Sequence, residues 1–244
     1  MAQQCEVLLI EDTSTPSAWF LGHRLCSMGF RTAQARNSDE LTRLMDRPDL
    51  PFRAAMVSTS VPSERLSQFV APLRQHLVAG EVTGLAVGRA PAPEIRNRLR
   101  EMGFTLALWH PCDDHTLRFQ VNQAVARARG EKAARAELRA PLAWQVSVHA
   151  GGRRKKAQVY NLSKRGAFLE TARPSMVGAE INVELPLPNG RTPLPASVVH
   201  TNVPGNLLSP CVPIGMGIRF TDPSPTITDD LARIVEERSL NLLV

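Results

Sequence analysis

The chain has no Cys-x-x-Cys spacing, no cluster of histidines, one tyrosine and only 5% aromatic residues in a length of 244. Its four cysteines, Cys5, Cys26, Cys112 and Cys211, stand far apart with no histidines grouped around them. That scatter speaks against a zinc site and against a disulfide framework. Cys5 and Cys26 read instead as small hydrophobes at a strand edge and on a helix. No apolar run approaches the ~18 to 20 residues of a membrane-crossing helix. Met1-Ala2-Gln3-Gln4 lacks a basic n-region and a signal-like core, so a cytoplasmic protein without membrane insertion is expected. Nothing in the sequence has the form of a catalytic triad, a metal triad or a phosphate-binding loop, so neither enzymatic activity nor a cofactor is expected.

What is present suits two folded domains: 244 residues, 43% hydrophobic and 21% charged. The net charge of +6 favours an anionic partner, whether nucleotide, nucleic acid or membrane surface.

The first half alternates short apolar runs with amphipathic ones. Cys5 to Ile10 reads as a buried strand emptying into Glu11-Asp12, and Pro16 to Met28 as a helix stopped by Gly29. Ser38-Asp39-Glu40-Leu41 opens a second helix with an N-cap. Ala54 to Val57 is a strand, Pro62 to Val78 helical, Val82 to Val87 a strand, Pro93 to Met102 helical and Thr105 to Trp109 a strand, and Asp113 begins a long helix. Such alternation of strands with helices argues a doubly wound parallel (βα)5 sheet with its site at the carboxyl ends of the strands.

Residues 1–128 thereby resemble the response-regulator receiver domain, and the resemblance is instructive where it fails. Glu11-Asp12 fall where that family keeps metal-binding carboxylates, and His110-Pro111 where it keeps a Lys-Pro pair. The phospho-accepting Asp is expected four residues before Pro62, at Ser58, and the switch hydroxyl near Gly88. Transfer of a phosphoryl group to Asp needs a carboxylate nucleophile, a well-held Mg²⁺ and a cation. The half therefore reads as a pseudo-receiver with a degenerate site at Ser58. Modification of Ser58 by a Ser/Thr kinase, a weak Mg²⁺ on Glu11 and Asp12, and a pH-sensitive His110 are alternatives to ordinary solvated side chains.

Residues 129–141 form an Ala/Arg/Glu/Lys-rich stretch of high helix propensity, weakened at Gly130 and ended by Pro141, and read as a helical hinge. It carries Arg135-Ala136-Glu137-Leu138-Arg139. Beyond it, residues 142–244 hold short strands separated by Pro, Gly and Asn: Ala143 to His149, a Gly151-Gly152 turn, Ala157 to Asn161, Ala167 to Glu170, Glu180 to Leu185, Ala196 to His200 and Gly217 to Phe220. Such spacing argues an antiparallel barrel. Ile227 to Leu240 is an amphipathic helix begun by Thr226 or Thr228. Arg153-Arg154-Lys155-Lys156 reads as a solvated hairpin tip, with a nucleic-acid or anionic-lipid patch as the alternative; it lacks interleaved aromatics.

Two arginines four apart, then Asn161-x-Ser163-x-x-Gly166, offer planar donor forks, an amide, a hydroxyl and a backbone that admits close approach. In this order, before a β-rich segment, they resemble the PilZ domain, the bacterial receptor for cyclic di-GMP, and Gly215 to Phe220 looks like its closing strand. The resemblance implies a six-stranded barrel with a C-terminal helix, in which Arg135 and Arg139 clamp guanine and phosphate while Asn161, Ser163 and Gly166 form the floor. It further implies a receptor or adaptor controlling motility, exopolysaccharide production or transcription through a protein partner on the receiver-like half. A homodimer is left open. A nucleic-acid-binding regulator and a ligand-blind scaffold are the competing functions.

Overall fold

In the computed structural model, residues 6–10, 17–47, 52–130, 137–205, 207 and 211–244 are described. Glu11, Asp12 and Arg135 lie outside them. The chain divides into two compact units, one of residues 6–130 with Asn241–Val244 and one of residues 137–240.

The first unit is a five-stranded parallel sheet in the order β2-β1-β3-β4-β5, formed by β1 (Glu6–Ile10), β2 (Arg31–Ala35), β3 (Ala54–Ser58), β4 (Thr83–Gly88) and β5 (Phe104–Trp109). Helices α1 (Ser17–Ser27), α2 (Ser38–Met45), α3 (Ser63–Val70), α4 (Arg74–Ala79), α5 (Pro93–Glu101) and α6 (Asp114–Ala128) connect and follow them. Strands β3 and β4 are apolar runs because both faces are covered: Ala55, Val57 and Ala86 are buried on one face beside Leu66, Phe69 and Leu99, and Met56, Leu85 and Val87 are buried on the other. The edge strand β2 reads Arg-Thr-Ala-Gln-Ala and buries only Ala35, so it has no apolar run to mark it.

Two local details differ from expectation. Helix α2 is capped by Asn37, whose side chain accepts from the Glu40 amide, and not from within Ser38 to Leu41. The helix expected over Pro62 to Val78 breaks into α3 and α4 at a 3-10 turn, Ala71–Leu73, because Pro72 has no N–H to give.

The division also departs from the expected boundary at 142–244, since Asn241–Val244 group with the first unit. Leu243 bridges Leu106 antiparallel at the edge of β5. The Ala107 amide donates to the Leu242 carbonyl at 2.9 Å, and Arg100 Nε to the Val244 carbonyl at 2.6 Å. Gln120, fully buried on α6, holds both partners together: its Nε2 donates to Leu242 O at 2.7 Å and Ala107 O at 2.9 Å. Gln120→Met should therefore cost about 1 to 3 kcal/mol, the scale of two buried hydrogen bonds lost together, while the Leu242 carbonyl keeps the Ala107 amide. Chemical denaturation would check this, and an unchanged midpoint would refute it.

The second unit is a closed antiparallel barrel. It is built from β7 (Gln145–Ala150), β8 (Arg153–Ser163), β9 (Gly166–Glu170), β10 (Glu180–Leu187), β11 (Gly190–Asn202) and β12 (Gly215–Phe220). The order β8-β7-β10-β11-β12-β9 is closed by β9 pairing back on β8, and the short β6 (Ala140–Pro141) adds to the outside of β8. Alternate residues point inward, among them Val146, Val148, Val159, Leu162, Leu169, Val183 and Ile218, and α7 (Pro225–Leu240) adds Leu231 and Val235 to the same core. Helix α7 starts earlier than Thr226 or Thr228, at Pro225, with Ser224 Oγ accepting from the Ile227 amide at 3.4 Å.

The helical hinge is corrected in part. Helix α6 ends at Ala128 with Gly130 at φ +71°, and Glu137 to Arg139 are not helical. Pairing of Ala140 and Pro141 with Leu162 and Asn161 gives those residues a strand partner instead.

Candidate functional site

The Asn-x-Ser-x-x-Gly stretch occupies the end of β8, its turn and the first residue of β9. Asn161 pairs with Phe168 and Ser163 with Gly166 in the ladder, while Leu162 turns into the core. Asn161 and Ser163 thus share the outer face of the barrel wall. Both are buried all the same, at 9% and 1% exposure. Ser163 Oγ closes the turn by donating to the Gly166 carbonyl at 3.2 Å.

Gly166 is fixed by space. A Cβ there would overlap the Ile218 carbonyl oxygen on β12, which lies beside it in the sheet. The carbonyl of Arg165 also accepts from the Phe220 amide at 2.9 Å, so the turn is pinned to β12 as well as to β8.

The upstream arginine segment reaches this wall through β6. With Ala140 opposite Leu162 and Pro141 opposite Asn161, the half-buried Arg139 is delivered to Asn161, and its Nη1 donates to Asn161 Oδ1 at 3.1 Å. The structure therefore brings together Arg139, Asn161, Ser163 and Gly166. Arg135 falls outside the described residues. A second link joins the same segments: Arg165 Nε lies 2.8 Å from Glu137 Oε1. Sequence reasoning passed over both residues, although opposite charges inside two neighbouring motif segments were a usable signal.

This arrangement can grip an anion with a planar edge. Arg139 presents a guanidinium already oriented by an amide, and the fork suits a phosphate or the acceptor edge of guanine.

The basic run Arg153 to Lys156 is not a hairpin tip. It forms the first residues of β8, paired with Ser147 to Ala150, and the turn is Gly151-Gly152. Arg154 donates to Ser147 Oγ at 3.0 and 2.8 Å and lies 3.6 Å from Glu184, while Lys155 Nζ reaches Arg173 O and Ser175 Oγ, each at 3.4 Å. Two of the four cations thereby have partners on the barrel, while Arg153, Arg154 and Lys156 stay exposed.

In the first unit, Ser58, Gly88 and His110 come together at the carboxyl ends of the strands, around a cavity of about 230 Å³ that Ile10, Met56 and Arg24 also line. Ser58 Oγ is 2.6 Å from Ser60 Oγ. Arg24 is turned to Asp114 Oδ1 at 2.6 Å and to the Cys112 carbonyl at 3.2 Å. Burial pushes the Cys112 thiol up, against the pull of Arg24. Among the described residues the lining is largely apolar and includes no carboxylate to form an acyl phosphate. Among the described residues, no group of three or more His, Cys, Asp and Glu is placed to hold a metal ion, and no helix is long and apolar enough to cross a membrane.

Residues 133–237 match the family model of the PilZ domain. No curated protein matches the chain. Among solved structures, a CheY-like response regulator receiver domain protein from Methanospirillum hungatei JF-1 is similar at 14% identity and a TM-score of 0.43, over 53% of this chain and 99% of its own. The PilZ domain of YcgR from Escherichia coli, solved with c-di-GMP, is similar at 22% identity and 0.32, over 43% and 92%. The Bacillus subtilis inhibitor of motility, MotI/DgrA, is similar at 16% and 0.34, over 44% and 52%.

Proposed function

We propose, from the PilZ domain carried by residues 133–237, that this chain is a receptor for cyclic di-GMP that works by binding and without catalysis. The observation that carries the reading is the Arg139 to Asn161 hydrogen bond at 3.1 Å, which ties the arginine segment to the barrel-wall motif inside the matched region. In this reading Arg135 and Arg139 clamp phosphate and guanine, and Asn161, Ser163 and Gly166 make the floor. Bound ligand shifts the chain only through its differential affinity for two states. The proposed difference is the arrangement of the connecting residues 129–141, through which ligand occupancy alters how the receiver-like unit is offered to a protein partner.

Calorimetric titration of the full chain with cyclic di-GMP, beside GMP and cyclic di-AMP, tests this directly. Micromolar or tighter binding of cyclic di-GMP alone is expected. Absence of binding at millimolar ligand would leave a ligand-blind scaffold. Equal binding of all three nucleotides with a steep salt dependence would mark a general anion surface instead.

A further inference from the structure

The segments that meet at Arg139 and Asn161 meet again two residues earlier. Glu137 places Oε1 2.8 Å from Nε of Arg165, which stands between Ser163 and Gly166 in the turn of the wall motif. The two partners differ in surroundings: the Glu137 side chain is 19% exposed and that of Arg165 is 73%. Glu137 Oε1 is itself out of contact with water and lacks an aligned hydrogen bond, so distance and charge hold the pair, not a formed N–H···O geometry. A carboxylate oxygen withdrawn from water without a donor in line is incompletely compensated. Glu137 is also the one acidic residue in stretches 132–139 and 161–166, which otherwise carry Lys132, Arg135, Arg139, Lys164 and Arg165.

We propose that Arg165 is a further phosphate-gripping arginine of this site and that Glu137 is its resident anion, displaced when a ligand phosphate arrives. The proposal rests on the cyclic di-GMP reading above. A guanidinium holds carboxylate and phosphate with the same fork, and phosphate offers an additional acceptor oxygen. A dianionic ligand also answers more of the local positive charge than one carboxylate does. Because Glu137 is attached to the chain, it competes at a high effective concentration, of order millimolar for a short tether. Weak monovalent anions are thereby kept off Arg165, and a ligand that engages Arg139 at the same time gets past the competitor.

The test is a titration of the full chain with cyclic di-GMP in four forms: unchanged, Glu137→Gln, Arg165→Ala and both together. Glu137→Gln should tighten binding about two- to fivefold, the scale of an ion pair whose arginine is open to solvent. Arg165→Ala should weaken it about tenfold. In the Arg165→Ala background, Glu137→Gln should change nothing. An equal tightening in both backgrounds would make Glu137 a diffuse negative charge and overturn the proposal, as would an Arg165→Ala protein that binds like the unchanged chain. If the unchanged chain binds and the four affinities show no coupling, only the competitor falls. If none of the four binds, the receptor reading falls and takes the competitor with it. Far-UV circular dichroism and melting of each form separate these outcomes from misfolding.

Discussion

Replacing Arg139 by alanine is expected to cost about 2 to 5 kcal/mol of cyclic di-GMP affinity, the range for truncating one partner of a buried, hydrogen-bonded charge contact. That is a loss of about thirtyfold at the low end and more than about a thousandfold at the high end. The size follows from how the side chain is held. Strand β6 anchors the backbone beside it, and Asn161 Oδ1 takes one guanidinium N–H, so little rotamer freedom remains to be lost on binding. Arg139→Lys keeps the charge and loses the planar fork, and should fall between the two. Titration of both variants, with melting to show that the barrel is intact, measures the effect. If Arg139→Ala binds as the unchanged chain does, the contact with Asn161 is a strand-edge tie and the ligand sits elsewhere.

Gly166→Ala should have the largest effect on stability, about 3 kcal/mol, and lower the barrel's melting by about 10 °C or more. The atoms a methyl group would meet there are the Ile218 carbonyl oxygen and, at 3.4 Å, Arg219 Cα. Both are backbone atoms of β12 in its ladder with β9, so no side-chain rotation relieves the overlap. The same residue accepts the Ser163 hydroxyl through its carbonyl, so ligand binding should fail along with stability. Scanning calorimetry decides it; an unchanged transition would mean that the wall has room at Gly166 and that its glycine serves the turn alone.

The parts of this molecule legible in its sequence are those that local chemistry specifies. Strands β3, β4 and β5 are apolar runs, α6 is announced by Asp113, which accepts from the Thr116 amide at 2.7 Å, and the barrel strands alternate. Burial pushes the Asp113 carboxyl up, but its bonds to Thr116 prevail and hold it below the usual carboxylate range. Edge strand β2 was not marked by any run, because one partner and partial burial ask little of Arg31 to Ala35. The break at Pro72 was available in principle but hidden inside a long amphipathic pattern. In the candidate site, Arg139, Asn161, Ser163 and Gly166 were legible as a spaced set. The pairing of Glu137 with Arg165 was not, because it arises only when β6 lies on β8. The basic run was legible as solvated, since Arg153, Arg154 and Lys156 are exposed, but not as strand: Lys155 pairs opposite the core residue Val148 and is half-buried beside Arg173 O and Ser175 Oγ.

The return of Asn241–Val244 to the edge of β5 has a consequence for biosynthesis. The parallel sheet precedes the barrel in the order of synthesis, yet its Gln120 amide and the Ala107 amide find their Leu242 partner only after the barrel residues have emerged. Until then the β5 margin is an unpaired strand edge, the kind of surface that recruits other chains. The unit made first is the one finished last, and a nascent chain stalled within the barrel carries an incomplete sheet for as long as the stall lasts.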